Sequence, residues 1–322
     1  MNKCFISILT TLTTLTTLTI LLIIVSFGRM DGAPSRTPKA PGTENRVPVH
    51  PVFEILRNYT PLRSGEITAI PYTLNLMAMD LLKLKKSAKV PQVKRYMEWY
   101  LAHLNYPDRY GFTGSIYDYT ITADGKETSM GRCDSIDSYA ATFIMLVERY
   151  LSVTGDRAFI EANRRKLEDI MYLVPALQDS DGLTFPMPAV PFKYLMDNCE
   201  AYGGFRAFEH LAQTMHWESH AYYKERREGL YHAIQTLFID PNNGNYFWSI
   251  EKNAKTASSW TVFYPDSYAQ LFPILYGQAP NALQRLKLWK TFHTHHQRKI
   301  KKIPVEQQII YRWTKEIMEN TK

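Results

Sequence analysis

The feature that most constrains this chain is an internal echo. Asp137-Ser-Tyr-Ala-Ala-Thr-Phe143 returns, with its first four and its last residues kept, as Asp266-Ser-Tyr-Ala-Gln-Leu-Phe272. A weaker copy begins at Asn198, with Ala201 and Phe205 near register, and a fourth starts at Tyr72 in Tyr72-Thr-Leu-Asn-Leu-Met-Ala78. The starts lie 65, 61 and 68 residues apart. A nearly constant step marks stacked supersecondary units, each burying its apolar face against the next.

Each unit reads as a pair of helices. Ala140, Phe143, Ile144, Val147 and Leu151 form an i, i+3, i+4 stripe after Asp137, the pattern of a helix with one buried face. Gly155 suits its C-terminal cap and Asp156 the next N-cap. A second helix then carries Phe159, Leu167, Ile170, Met171 and Val174 to about Leu177. The same alternation continues with Phe205, Phe208, Leu211 and Met215, then Tyr223, Leu230, Ile234 and Leu237. Leu271, Phe272 and Leu275, followed by Leu283, Leu286, Trp289 and Phe292, make another pair. The expectation is an all-α fold, an (α/α) toroid of helical hairpins. Four hairpins and a terminal helix over Val305–Asn320 are legible, rather than six. The first helix of each pair should line the inside, so the loops entering those helices fall at one end. A short β-hairpin is expected there, between Thr113 and Thr122 and around Asp124-Gly125.

The domain boundaries follow from composition. Residues 1–28 read as a signal peptide or a membrane anchor. Lys3 precedes an uncharged stretch from Cys4 to Gly28 that is most apolar over Ile20–Val25, and both readings stay open. Residues 29–52, with Pro34, Pro38, Pro41, Pro48 and Pro51, read as an extended linker. The toroid is expected over 53–297 and a basic helix or tail over 298–322. The body should therefore be exported or membrane-anchored, outside the cytoplasm. Cys133 and Cys199 are either two free thiols or a bridge that an oxidising compartment would permit. The net charge of +7 resides in the tail: Asn281–Lys322 holds ten Lys/Arg against three Glu, and the rest is balanced. A neutral body has no broad basic face, which argues against a nucleic-acid partner.

The chain resembles the six-hairpin glycosidase superfamily. The likeness is carried by Cys133-Asp134-Ser-Ile-Asp137-Ser-Tyr139, Thr154-Gly155-Asp156, Asp181-Gly-Leu-Thr184, Tyr194-Leu-Met-Asp197-Asn-Cys-Glu200-Ala-Tyr202 and Tyr264-Pro-Asp266-Ser-Tyr268, across residues 60–295. It implies an inner ring of helices with a glycan cleft at their N-terminal loops and acidic catalysts. Glycoside hydrolysis needs one carboxylic acid to protonate the leaving oxygen and a second carboxylate as nucleophile or base. Asp118, Glu127, Asp134, Asp137, Asp197, Glu200 and Asp266 are available in those loops. The catalytic candidates are Asp134, Asp137, Asp197 and Asp266, with Tyr139, Glu200, Tyr202, Trp260 and Tyr264 as substrate-binding residues. Either acid of the 134/137 pair, taken alone, is explained as well by capping a helix as by catalysis. The helix N-terminus should lower Asp137 and suit it as a base, while a neighbouring anion should raise Asp134 and suit it as the acid.

The expected activity is a glycoside hydrolase acting on a cell-envelope or exported polysaccharide. The alternative is a non-catalytic glycan-binding subunit of a polysaccharide synthesis or export system. An epimerase or lyase, which would prefer a His or Tyr proton shuttle, is more distant. No phosphate-cradling Gly loop, nucleophile elbow or Cys-x-x-Cys occurs, so no cofactor is expected. No metal site is expected either. His293, His295 and His296 read as the solvated face of a basic helix, and Asp240-Pro-Asn-Asn-Gly-Asn245 as a turn.

Overall fold

A computed structural model describes residues 49–61, 65–83 and 87–320. The leader expected over 1–28, and the linker as far as residue 48, lie outside the described residues. Residues 48–322 form a compact unit with its own core. Among the described residues the helices are α1 (Pro51–Leu56), α2 (Pro71–Lys83), α3 (Val90–Ala102), α4 (Ile136–Thr154), α5 (Arg157–Ala162), α6 (Arg164–Ala176), α7 (Leu195–Met215), α8 (His220–Leu237), α9 (Leu271–Leu275), α10 (Ala282–His296) and α11 (Val305–Asn320).

The helices α2, α4, α7, α9 and α11 form the inner ring. Within it α4 packs on α2 and α7, α7 reaches α9, α9 packs on α11, and α11 returns to α2. Outside them, α3 covers α2, α6 covers α4, α8 covers α7 and α10 covers α9, while α1 lies against α2 and α3. The stops read from sequence hold. Gly155 caps α4 with φ of 68°, and the Asp156 side chain accepts from Phe159 N at the start of α5. The fourth inner position is segmented. A wide turn over Phe263–Ser267 precedes α9, and Pro273 has no N–H with which to continue a regular ladder back to Ala269.

The inner helices pack at close range. A Cβ built on Gly204 would lie 2.7 Å from Ala141 Cβ, and one on Gly203 2.7 Å from Met145 Sδ. At Gly204, where Ala141 Cα would also lie 2.8 Å away, only hydrogen lets the α7 backbone lie against α4. Tyr100 of α3 stacks on Phe143 of α4 with centroids 3.7 Å apart. The buried Asn75 of α2 ties three helices, donating to Thr142 Oγ1 (3.1 Å) and accepting from Tyr96 OH (2.8 Å).

Two small antiparallel sheets sit in the loops that enter the inner helices. β1 (Ile67–Ala69), β2 (Tyr119–Ile121) and β3 (Glu127–Ser129) form one, with Ala69 opposite Tyr119 and Tyr119 opposite Ser129. β4 (Phe192–Tyr194), β5 (Ser249–Glu251) and β6 (Ala254–Thr256) form the other, with Tyr194 opposite Ser249. The hairpin expected near Asp124-Gly125 is β2–β3, shifted toward the C-terminus of its anticipated start.

Several expectations change. The linker read as reaching residue 52 ends earlier, because Pro51 opens α1, His50 Nδ1 accepts from Val52 N, and Val52, Phe53 and Ile55 are buried. The segment set apart as a tail after residue 297 contributes α11, whose Ile309, Ile310, Trp313, Thr314 and Met318 are buried. Its basic residues Arg312 and Lys315 are exposed beside that stripe, with Arg312 reaching Asp80 of α2, so the charge count hid the packing face. On α10 the buried residues are Leu288, Phe292 and His296, whereas Leu283 and Leu286 are exposed. His296 is therefore not on a solvated face; its Nε2 bonds to Trp260 O (2.9 Å) and Ser267 Oγ (3.0 Å).

The joint between first and last inner helices is polar. Buried Asp80 of α2 accepts from Trp313 Nε1 (2.9 Å), Arg312 Nη2 (2.6 Å) and Tyr59 OH (3.0 Å), and Lys83 pairs with Glu316. Residues 80 and 83 meet 312–313 and 316, so α2 and α11 run in the same direction. Replacing Asp80 by Ala strands the buried Trp313 N–H and breaks the Arg312 pair, while Tyr59 OH keeps Met77 O. It should cost about 2–4 kcal/mol, since an unsatisfied buried donor costs about 1–3 kcal/mol and a bond to a charged group is worth about 1.5–3 kcal/mol. Urea unfolding of Asp80→Ala beside the parent measures it; a loss below about 0.5 kcal/mol would show the ring does not depend on this joint.

Candidate functional site

The loops before α4 and α7 bring a group of acids together. Ser135 is the N-cap of α4. Its Oγ donates to Asp137 Oδ1 at 2.6 Å and lies 3.4 Å from Asp197 Oδ2 in the first turn of α7. A hydroxyl has one proton, committed at the shorter contact, so the contact to Asp197 is best met when Asp197 itself is protonated. One turn further along α7, Glu200 accepts from Tyr72 OH of α2 at 2.7 Å. Tyr139 OH donates to Asp118 Oδ1 at 2.9 Å, and Asp134, just before the Ser135 cap, is exposed to solvent.

Burial dominates the protonation of this group. It pushes Asp137 up to about 6, against hydrogen bonds from Ser135, Thr184 and Ser138 N that favour the ionised form. It raises Glu200 to about 8, despite the bond from Tyr72. Asp197 is raised well above the usual carboxylate range, first by burial and then by the charges of Asp137, Glu200 and Asp134. Burial also lifts Asp134 and brings Asp118 to about 6, where the Tyr139 bond opposes it and Asp134 adds to it. The expectation that a helix N-terminus would lower Asp137 is therefore reversed.

The sequence candidates separate. Asp134, Asp137, Asp197 and Glu200 are brought together, and Tyr264 joins them, half exposed and close enough to feel the charges of Asp197, Asp134 and Glu200. Asp137 is fully buried with both oxygens engaged, Oδ1 by Ser135 Oγ and Ser138 N and Oδ2 by Thr184 Oγ1 (2.7 Å). It fastens the start of α4 to the loop at Thr184 and is closed off from solvent. Asp266 accepts from Ser259 N (2.8 Å) and holds the loop before α9. Tyr139 is buried beneath Asp118 rather than offering a face. Tyr202 points between α7 and α8, with the Arg227 guanidinium over its ring. Trp260 is half-buried in the loop ahead of α9, its carbonyl bonded by His296. Glu127 is taken up by Trp99 Nε1, His50 and His103. Burial works against its charge, but those bonds prevail and hold its carboxyl low. Cys133 and Cys199 are both free.

An aromatic platform was missed from sequence. Phe192, Tyr194 and Trp248, all half-buried, stack with centroids 6.0 and 6.1 Å apart and planes within 5°. Tyr194 is raised to about 12 by burial and by the charges of Asp197 and Asp134, so the stack lies beside the acids. Phe192 and Tyr194 share a strand face at i, i+2, and that alternation was the available signal; pairing with Trp248 across β4–β5 had none.

No protein-family model matches the sequence, and no curated protein matches it. Solved structures do. A rhamnosidase from Klebsiella oxytoca with rhamnose bound is 11% identical over 79% of this chain and 47% of that one, with a TM-score of 0.54. A GH76 α-mannanase from Bacteroides thetaiotaomicron is 10% identical over 78% of this chain and 68% of that one, at 0.51. The fold is that of the (α/α)-toroid glycosidases. This toroid spans less than half the length of the matched rhamnosidases, 47% of the Klebsiella enzyme and 22% of a GH78 enzyme from a Bacillus species. Among its described residues no group of three or more His, Cys, Asp or Glu is arranged to hold a metal ion.

The raised carboxyls have a measurable consequence for the toroid. Between the ordinary value of 4.5 and about 8, Glu200 holds a proton when folded and loses it when unfolded. The folded state then binds more protons, so stability falls as pH rises through that window, at up to about 1.4 kcal/mol per unit. Glu200→Gln removes the titrating group. The variant's stability relative to the parent should therefore increase from pH 5 to pH 8 in urea unfolding; an unchanged difference would place Glu200 outside a desolvated site.

Proposed function

We propose that the protein is a glycoside hydrolase whose proton donor is Asp197. The observation that carries this reading is Asp197 itself: a half-buried acid, its carboxyl raised first by burial and then by the neighbouring acids Asp137, Glu200 and Asp134, beside a solvent-facing carboxylate and stacked aromatic rings. A general acid must be protonated at working pH and reach the leaving oxygen. Asp134, open to solvent, is the partner carboxylate that activates water or stabilises the developing positive charge on the sugar. The Phe192–Tyr194–Trp248 stack and the exposed Tyr264 offer apolar faces on which a sugar ring packs, its hydroxyls left for the carboxylates. The substrate is a cell-envelope or exported polysaccharide, in keeping with an uncharged leader and a proline-rich spacer ahead of the toroid.

Reducing-sugar release from a polysaccharide panel tests the activity. Asp197→Asn should lower turnover by ~10²-fold or more with little change in melting temperature. Asp137→Asn should chiefly cost stability, about 1 kcal/mol, through its cap and Thr184 bonds. Full turnover in Asp197→Asn would remove it as the acid. Binding of glycans by the parent without release of any sugar would favour the non-catalytic glycan-binding subunit.

The localisation has its own test. A reporter enzyme that works only outside the cytoplasm, fused after Val52, should be active; a silent fusion present at normal levels would reject export.

A further inference from the structure

The opposite end of the ring carries a second site. A cavity of about 550 Å³ opens between the C-terminal halves of the inner helices, within the range that small-molecule pockets occupy. Its apolar walls include Met79 of α2, Met145 of α4, Leu275 of α9 and Trp313 of α11, and its cationic groups include Arg149 of α4 and Arg206 of α7. Arg149 stands twelve residues beyond Asp137 on α4, about 18 Å along the axis, and Arg206 six beyond Glu200 on α7, about 9 Å, with Gly203 lining the inner side of the cavity. Tyr276, buried between the two, feels the charges of both Glu200 and Arg206.

The charges around this cavity are unequal. Lys83 pairs with Glu316 and His210 with Glu148, so those four groups are matched. Arg149 and Arg206 have no ion pair or hydrogen bond among the described residues. Arg149 is half-buried and has given up part of its water without gaining an acceptor, which is unfavourable unless something else supplies one. Helix dipoles do not explain the pair, because both arginines stand more than a turn before their helices end and the dipole acts within the last turn.

We propose that this cavity binds a small amphipathic anion, with its carboxylate or phosphate head on Arg149 and Arg206 and its apolar body among Met79, Met145, Leu275 and Trp313. Guanidinium groups match planar or tetrahedral oxyanions with paired N–H donors. Methionine and tryptophan walls adapt to an alkyl or aryl body without a fixed register. The ligand differs from the sugar of the acidic cleft, so binding here does not require the hydrolase reading.

Residues 48–322 contain the whole closed ring and its core, and are the unit to titrate. Isothermal titration with decanoate, with decyl phosphate and with neutral decanol, each below its aggregation limit, separates the contributions of head and body. Decanoate or decyl phosphate should bind at least tenfold more tightly than decanol, and the better of the two names the head. Arg149→Gln combined with Arg206→Gln should abolish that preference, lowering anion affinity about tenfold or more while leaving decanol as it was. If the double variant melts early, Arg206→Gln alone, at an exposed position, should still weaken the anion several-fold. Equal binding of decanol, no binding of either anion, or undiminished anion binding by folded variants would each overturn the proposal.

Discussion

A ring of helices is stable only if its last member meets its first. An open stack leaves an apolar side at each end and needs polar caps; closure removes both sides at once. Here the contact is made by α2 and α11, and Asp80 concentrates it, drawing Trp313, Arg312 and Tyr59 to one carboxylate. The helix that sequence composition set apart as a basic tail is thus the member that closes the wall. Around the ring the outer helices pack on the inner ones, as in the stacked Tyr100–Phe143 pair and the buried Asn75 node between α2, α3 and α4.

Closure with helices of common direction also sorts the chemistry. The inner amino ends gather at one face and the carboxyl ends at the other, so loops far apart in sequence become neighbours. Asp134 and Asp137 meet Asp197 and Glu200 because Gly204 lets α7 lie directly on α4 at Ala141. A side chain at Gly204 would push α7 off Ala141 and loosen the Ser135 bridge. The guanidiniums of Arg149 and Arg206 reach the other end by the same parallel arrangement.

Magnitudes decide how the acids behave. A helix N-terminus stabilises a carboxylate by about 0.3–1 kcal/mol, and by about 2 in favourable buried geometries. Asp137 rises from 3.8 to about 6, an opposing effect on the order of 3 kcal/mol. Loss of water therefore outweighs dipole and hydrogen bonds together. A group of acids so placed shares few negative charges near neutral pH, and the member nearest solvent with a retained proton, Asp197, is suited to give it up.

The sequence by itself determined the hairpin period, the starts of α2 and α4 to within a residue and of α7 to within a turn, and the acids in the entering loops. Those follow from local rules: apolar spacing, glycine and aspartate caps, and a repeated Asp-Ser-Tyr-Ala. Cap identity was legible at Gly155 and Asp156 because a cap is a contact between residues a few positions apart. Only the tertiary structure decided which acids remain available. Asp137 and Asp266 look alike in sequence, yet one is sealed by Thr184, forty-seven residues away, and the other holds Ser259. It also turned Tyr202 toward α8, stacked Trp248 on Tyr194, and placed α11 in the wall. Each depends on long-range packing, and water removal, which sets the protonation of the site, is a property of that packing rather than of any residue's neighbours in the chain.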